Sequence, residues 1–338
     1  MDNNRSIDGK KILFLAPAFF GYELKIKDKM EQLGASVDYY DARSVTGSLE
    51  KAFLKISPSI FKNKTQRYFK EILISNTAKD YDYVFIVKCD MISKDILHEI
   101  KSVFKNAKFC LYLWDSIKNI PGVKDKLSFF DKVLSFDRDD VKNNTSIQFR
   151  PLFYIDEFKK KDLISEDMRY KYDLCFCGTV HSDRFRIIKE IEQYCTNKKY
   201  HFFTFLYLQS RFVYWFYRIT KKEFSNTLVE DFNYDKLCGS AISEIVKESR
   251  VVLDIQHPQQ SGLTMRTIEM IGMEKKLITT NCDIINYDFY NPNNILVIPR
   301  ERISIPEDFL SKEYDPLEIN IYQNYSIENW ILEILTEG

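Results

Sequence analysis

HPQQSGLTMRTIEMIGMEKKLITTN, residues 257–281, lies between two apolar runs and decides how the whole chain is read. Just before it, the run from Arg250 to Ile255 is short and β-branched, the composition of a buried strand. Thr264 to Met273 has the spacing of a helix, and Lys276-Leu-Ile-Thr-Thr280 reads as the next strand. Strand, loop, helix and strand make a βαβ unit. In such units ligands sit at the carboxyl end of the strand, where a helix N-terminus offers unpaired N–H groups and the positive end of a dipole. The loop is therefore a candidate anion site. Only ten glycines occur in 338 residues, and one of them, Gly262, stands in this loop, where it lets the backbone approach a ligand closely.

The same pattern recurs in both directions. Lys11 to Ala16, Ser36 to Tyr40, Tyr81 to Val87, Phe109 to Trp114 and Lys132 to Phe136 read as strands. Between them come Glu23 to Leu33 as an amphipathic helix ending at Gly34, and a helix from an N-cap at Ser93 through Phe104. A second series starts after Arg150-Pro151. Its strands are Tyr172 to Cys177, His201 to Tyr207, Val251 to Ile255, Leu277 to Thr280 and Ile295 to Ile298. Gly178 to Ser182 is read as a loop, Asp183 to Cys195 as a helix, and Ser326 to Leu335 as a final amphipathic helix. Strands alternating with helices predict an α/β fold with parallel sheets covered on both faces. Two Rossmann-like halves, joined near residues 151–171, would leave a cleft between their strand ends.

Bulk numbers exclude several classes. Lys plus Arg and Asp plus Glu are 49 each, so no global field argues for nucleic acid. Seven cysteines without a C-x-x-C pair suggest neither a disulfide framework nor a zinc site, and point to a reduced, cytoplasmic protein. The polar N-terminus lacks the apolar region of a signal peptide. No apolar run approaches the roughly 20 residues of a spanning helix. After Ala16 there is no G-x-G-x-x-G, which counts against a dinucleotide enzyme.

Several stretches, in order along nearly the whole chain, resemble one family. They are Tyr83-Val-Phe-Ile-Val-Lys-Cys-Asp90, Leu113-Trp-Asp-Ser116, Phe136-Asp-Arg-Asp139, Phe176-Cys-Gly-Thr179 with Arg184, and Ser261 to Glu269 before Lys275 to Asn281. Together they resemble the GT-B fold glycosyltransferases, in particular the group-1-like enzymes of bacterial capsule and lipopolysaccharide biosynthesis. That resemblance implies an N-terminal acceptor domain, residues 1–152, and a C-terminal nucleotide-sugar donor domain, residues 153–319. A segment at 320–338 is expected to cross back to the first domain. It also implies a nucleotide sugar as co-substrate, no metal, and an oligosaccharide or polyprenyl-diphosphate-linked glycan as acceptor.

On the donor side the residues are Gly178, Arg184, His257, Ser261, Gly262, Leu263, Thr264, Arg266 and Glu269. Residues 261–264 would offer N–H groups to the pyrophosphate, and the arginines would supply forks for its oxygens. Glu269 matches the family position whose carboxylate accepts from ribose hydroxyls. Blander alternatives stand beside these. Arg266 and Glu269, three apart on a helix, could form a surface ion pair worth about 0.3 kcal/mol; His257-Pro258 could be a turn; Arg184 could be a solvated helix residue.

An inverting transferase needs a base for the acceptor hydroxyl, and a carboxylate at a strand end would serve. Asp115 is the first choice and Asp90 the second, with Asp137 a third; helix capping is the alternative for each. Asp137-Arg-Asp139 matches the metal-binding D-x-D of another transferase fold and is discounted as a frequent chance pattern. Phe19, Phe20 and Gly21, after the first strand, are placed on the acceptor side, where aromatics could stack on a sugar or cover apolar surface. The segment 211–222, with Phe212 to Tyr217 between Arg211, Arg218, Lys221 and Lys222, has an interfacial composition. Contact with the inner leaflet of the membrane is one expectation for it, and a buried helix or dimer contact the other. Two rivals to the transferase remain: a nucleotide-sugar epimerase of the same fold, and a non-catalytic sugar-nucleotide-binding protein.

Overall fold

The computed structural model describes residues 5–43, 62–160, 170–258, 262–301 and 303–337. The chain forms two compact units, Met1–Pro151 with Ile327–Gly338, and Leu152–Ser326. The boundary falls at Pro151, and the terminal segment joins the first unit at Ile327 rather than at residue 320.

The first unit is built on six parallel strands: β1 (Lys11–Ala16), β2 (Ser36–Asp41), β3 (Tyr83–Val87), β4 (Lys108–Leu113), β5 (Lys132–Ser135) and β6 (Gln148–Phe149). Their order is β2-β1-β3-β4-β5-β6. β1, β3 and β4 are apolar at nearly every position because helices cover both faces, so neither face alternates with water. Its helices include α1 (Tyr22–Gln32), α2 (Lys62–Asn76), α3 (Lys94–Val103) and α4 (Arg138–Lys142). Ser93 caps α3 through the Ile96 N–H, as its sequence position predicts. Neither α2 nor β6 is foreseen by the sequence reading above.

The second unit has five parallel strands: β7 (Tyr172–Thr179), β8 (Phe202–Tyr207), β9 (Ser249–Asp254), β10 (Lys276–Thr279) and β11 (Ile295–Val297), in the order β11-β10-β9-β7-β8. Gly178, expected in a loop, is still strand: it pairs with Leu206, and Thr179 with Tyr207. The helices are α5 (Arg184–Lys198), α6 (Arg211–Thr220), α7 (Gly239–Lys247), α8 (Met265–Gly272), α9 (Glu307–Ser311) and α10 (Ile319–Asn324). The last helix, α11 (Ile327–Leu335), belongs to the first unit, where Trp330 packs its ring at 4.7 Å from Tyr112. No described helix is long and apolar enough to cross a membrane.

Gly272, at the end of α8, shows how tightly the second unit is packed. A Cβ there would lie 2.5 Å from the Phe158 carbonyl oxygen and 2.5 Å from Tyr154 Cγ. Backbone cannot give way as a side-chain tip can, so Gly272→Ala is expected to cost about 2 kcal/mol, read as a lower urea midpoint at unchanged m-value.

Both strand orders place a topological switch. In the first sheet the chain steps from β1 out to β2, then crosses to β3 on the other side of β1. In the second it steps from β7 to β8 and then returns to β9. At such points the loops leaving neighbouring strands diverge and open a crevice at the carboxyl ends. The loops after β1 and β3, and those after β7 and β9, are therefore where ligands are sought.

Candidate functional site

In the first unit a pocket of about 80 Å³ opens at the switch point. It is lined from the ends of β1, β3 and β4 and the start of α1, with Phe19, Tyr22 and Trp114 as its aromatic wall and Glu23, Lys88 and Asp115 among its charges. The Phe19 and Tyr22 rings each stand 5.9 Å from Trp114. Phe20 lies outside the lining, two-thirds exposed, edge-on to Phe19 at 4.8 Å. Phe20 and Gly21 both have positive φ, 55° and 82°. Nothing lies within 4 Å of where a Gly21 Cβ would sit, so glycine serves the left-handed backbone there, not a lack of space. Glu23, almost buried, accepts from the Phe19 N–H at 2.8 Å and pins this turn.

The loop after β3 is more unusual. Lys88 and Cys89 are consecutive left-handed residues, φ 75° and 57°, and neither is glycine. Such conformations cost on the order of 1 kcal/mol each and persist only where neighbours enforce them. Here the buried Lys126 ammonium donates to the Cys89 carbonyl at 2.9 Å, and the Lys88 N–H bonds the Tyr112 carbonyl at 2.9 Å. The Cys89 thiol is pushed up to about 12 by burial, which keeps it out of nucleophilic chemistry. What the turn achieves is to aim the Lys88 side chain between two carboxylates, 3.2 Å from Asp115 and 3.7 Å from Asp90. Asp115 Oδ1 also accepts from Asn119 at 3.1 Å. Asp90 lies 3.9 Å from Arg43, and its buried Oδ1 has no hydrogen bond among the described residues.

The three aspartates separate cleanly. Asp137 is fully buried, caps α4 through the Asp139 N–H at 2.9 Å, and accepts from the Ser116 hydroxyl. It is a structural residue. Asp115 and Asp90 stand outside the N-cap positions that follow them, which fall on Ser116, with no side-chain cap bond, and on Ser93, which caps α3. Among the described residues, no three His, Cys, Asp or Glu side chains gather as a metal site.

In the second unit the switch point between β7 and β9 carries cations. Arg184 donates from Nε to the Ile255 carbonyl and from Nη1 to the Thr179 carbonyl at 3.0 Å, tying the ends of the two strands together. It is a brace, neither a freely solvated residue nor a guanidinium with all its donors spare. Gly178 spares the Phe176 ring rather than the arginine: a Cβ there would press Phe176 at 3.0 Å but meet the guanidinium at an ordinary contact of 3.6 Å. Arg300 grips Asp183 with bonds of 2.8 and 3.0 Å and the Gln256 carbonyl at 2.7 Å, and Lys221 holds the Ser182 carbonyl at 2.8 Å. The rings of His181 and His257 lie 5.3 Å apart. Arg300, His181 and Asp183 are not among the site residues read from sequence, and Lys221 figures there only in the interfacial segment 211–222.

His181 senses this environment. Burial, then Arg184, His257 and Lys221, lower its pKa to about 4. It is neutral at pH 7, whereas in the unfolded chain it protonates near 6.5. Lowering the pH from 6.5 towards 4 therefore favours the unfolded state, and the stability lost levels off below 4. The shift alone corresponds to about 3 kcal/mol, and partial solvent screening reduces it to about half. His181→Gln should flatten the pH dependence of the urea midpoint between 6.5 and 4, and NMR titration of the ring checks the value.

The quoted loop lies beside this cluster. Thr264 caps α8 through the Thr267 N–H, and the Asp254 carboxylate at the end of β9 accepts from both Thr264 and Thr267 hydroxyls at 2.7 Å. The helix begins at Met265, so its first-turn N–H groups start there, directly after the Thr264 cap. Ser261 falls outside the described residues. Leu263 buries its side chain, and the Gly262 carbonyl accepts from Asn281 at 3.4 Å. Arg266 and Glu269 do form an ion pair, 2.7 Å apart, but with Glu269 only 3% exposed it is not a surface pair.

No family model matches the sequence, and no curated protein does. Solved structures do match the fold. A glycosyltransferase from Rickettsia africae is 15% identical, with 96% of each chain covered and a TM-score of 0.58. An alpha-glucosyltransferase bound to UDP and a 13-mer DNA is 11% identical, covering 97% of this chain and 95% of that one, at 0.55. A UDP-GlcNAc 2-epimerase from Methanocaldococcus jannaschii is 11% identical, covering 97% and 100%, at 0.51. The fold is the GT-B fold of glycosyltransferases and these epimerases.

Proposed function

We propose that the chain is a metal-independent glycosyltransferase that moves a sugar from a nucleotide-sugar donor to a bacterial surface-glycan acceptor, of the capsule or lipopolysaccharide O-antigen. The observation that carries this reading is the cation cluster at the β7/β9 switch point, adjoined by the N-terminus of α8 and a buried acid, Glu269. A leaving nucleoside diphosphate gains charge as the glycosidic bond breaks, and preorganised cations and N–H groups stabilise it without a metal. We assign the diphosphate to the α8 N-terminus with Arg266 and to the edge of the cluster at His257. The ribose goes to Glu269. The aromatic-walled pocket of the first unit takes the acceptor sugar, with Asp115 as base and Asp90 in reserve. All seven cysteines are free thiols, which suits the cytoplasm.

A thermal-shift screen against UDP, GDP, CDP, CMP and dTDP, with and without EDTA, tests the donor site. One nucleotide is expected to raise the Tm whether or not EDTA is present, since ligand at a hundredfold its Kd adds about 2.7 kcal/mol. Glu269→Gln, which keeps an oxygen for Arg266, should weaken that nucleotide about tenfold. No shift with any nucleotide would sink the reading.

The likeness to an epimerase makes that class the second reading. An epimerase would convert the nucleotide sugar with no acceptor present, whereas the transferase releases nucleotide at an appreciable rate only with one.

A further inference from the structure

Helix α6 is inverted for a helix on a soluble surface. Tyr214 is buried, with its hydroxyl on the Thr227 carbonyl at 2.7 Å, and Tyr217 packs on Phe224 at 5.2 Å. Those residues, with Val213, are the helix's apolar side chains packed on the core. On the opposite side Phe212, Trp215, Phe216 and Ile219 are 79, 52, 55 and 84% exposed. Their spacing of i, i+3, i+4 and i+7 sets all four on one stripe, where a solvated helix carries polar side chains. Leu228, 61% exposed, follows Thr227, whose carbonyl also accepts from Arg218 at 2.8 Å.

Charge along the stripe is of one sign. Arg211 and Arg218, seven residues apart, flank the same edge of it, and Arg218 lies 5.6 Å from the centre of the Trp215 ring. Lys222 is exposed just beyond the helix, and no acid occurs from Arg211 to Lys222; the first is Glu223. Aromatic and aliphatic side chains bordered by arginines fit the boundary layer of a bilayer, with the rings among the acyl carbons and the guanidiniums at the phosphates. We propose that α6 is a membrane-docking helix that lies flat on an anionic lipid surface through Phe212, Trp215, Phe216 and Ile219, with Arg211, Arg218 and Lys222 on the headgroups. The inference goes beyond the transferase reading and does not depend on it.

Co-sedimentation of the full chain with phosphatidylglycerol–phosphatidylcholine vesicles tests it. Binding is expected at low salt, about tenfold weaker at 0.5 M salt and on pure phosphatidylcholine. Changing Phe212, Trp215, Phe216 and Ile219 together to Ser should weaken binding about a hundredfold. Arg211→Gln with Lys222→Gln should restore neutral-lipid levels. The inward-facing tyrosines are untouched, so the Tm should hold; if the fourfold variant fails to fold, Phe212→Ser with Ile219→Ser is expected to lose about tenfold. Glu269→Gln should bind vesicles like wild type, which separates this test from that of the donor site. No sedimentation of wild type with anionic vesicles, or retention by the Ser variants, overturns the proposal. So does a dimer in analytical ultracentrifugation that the same Ser changes dissolve, because a second copy would then cover the stripe.

Discussion

Asp115→Asn is expected to lower the rate of sugar transfer about a thousandfold while leaving the nucleotide-induced Tm shift unchanged. A positioned general base contributes about 10²–10⁴ to rate, and the amide cannot accept the acceptor's proton. Several features favour Asp115 over its neighbours. It lies in the aromatic-walled pocket, one of its oxygens is held by Asn119 and the other faces Lys88, and it caps no helix. Asn is nearly isosteric, so the bond from Asn119 survives and the change reports on proton transfer more than on packing. Asp90 provides the internal comparison. It sits 3.7 Å from Lys88 and outside the pocket lining, so Asp90→Asn should act by loosening Lys88 and cost less than tenfold. Initial rates of nucleotide release with saturating acceptor decide between them. A loss of less than threefold for Asp115→Asn, with a large one for Asp90→Asn, would move the base to Asp90. Little loss in either would favour chemistry that needs no enzyme base.

How much of this could be read from the chain follows from which signals are local. Strands such as β1, β3 and β4 are nearly unbroken apolar runs, so existence and type were legible. The end of β7 was not: Gly178 reads as a loop, yet it stays in the ladder through its pairing with Leu206, a partner that only the tertiary fold supplies. Helix α2 was legible but passed over: Phe69, Ile72 and Leu73 stand at helical spacing and form its buried face. Among the aspartates, residue type and position could not separate Asp137, buried as a cap, from Asp115, at a pocket wall. The cation cluster was beyond any local reading. His181, Lys221 and Arg300 come from segments about 40 and 80 residues apart, and only the β7/β9 crossover brings them together. Lys88 and Cys89 gave no sign either, because a left-handed turn without glycine is enforced from outside, by Lys126. The candidate site regions are where local rules fail most, as expected when tertiary contacts override propensity.

Trp330→Ala is expected to lower the stability of the first unit by about 4 kcal/mol, within the range of roughly 3–5 for emptying a buried aromatic site. Trp330 is wholly buried and meets Phe85, Tyr112 and Trp114 with ring centres 4.7 to 6.3 Å away, so several side chains cannot collapse at once into the void. Neighbouring contacts hold α11 down without filling that space: Arg150 pairs with Glu333 at 3.2 Å, and Lys132 donates to the Thr336 carbonyl at 2.9 Å. A chain of two units need not unfold in one step, so a single global midpoint would blur the effect. Hydrogen exchange of the β1, β3 and β4 amides resolves it, with protection falling there and holding in β7 and β9. The same substitution should reach the pocket. Trp114 lies between Trp330 and the rings of Phe19 and Tyr22, so emptying the site behind it frees the wall on which the acceptor is proposed to stack. The KM for acceptor should then rise several-fold while nucleotide affinity stays constant. Equal loss of both would mean that the helix supports the donor site as well, and that the acceptor assignment of the first unit needs revision.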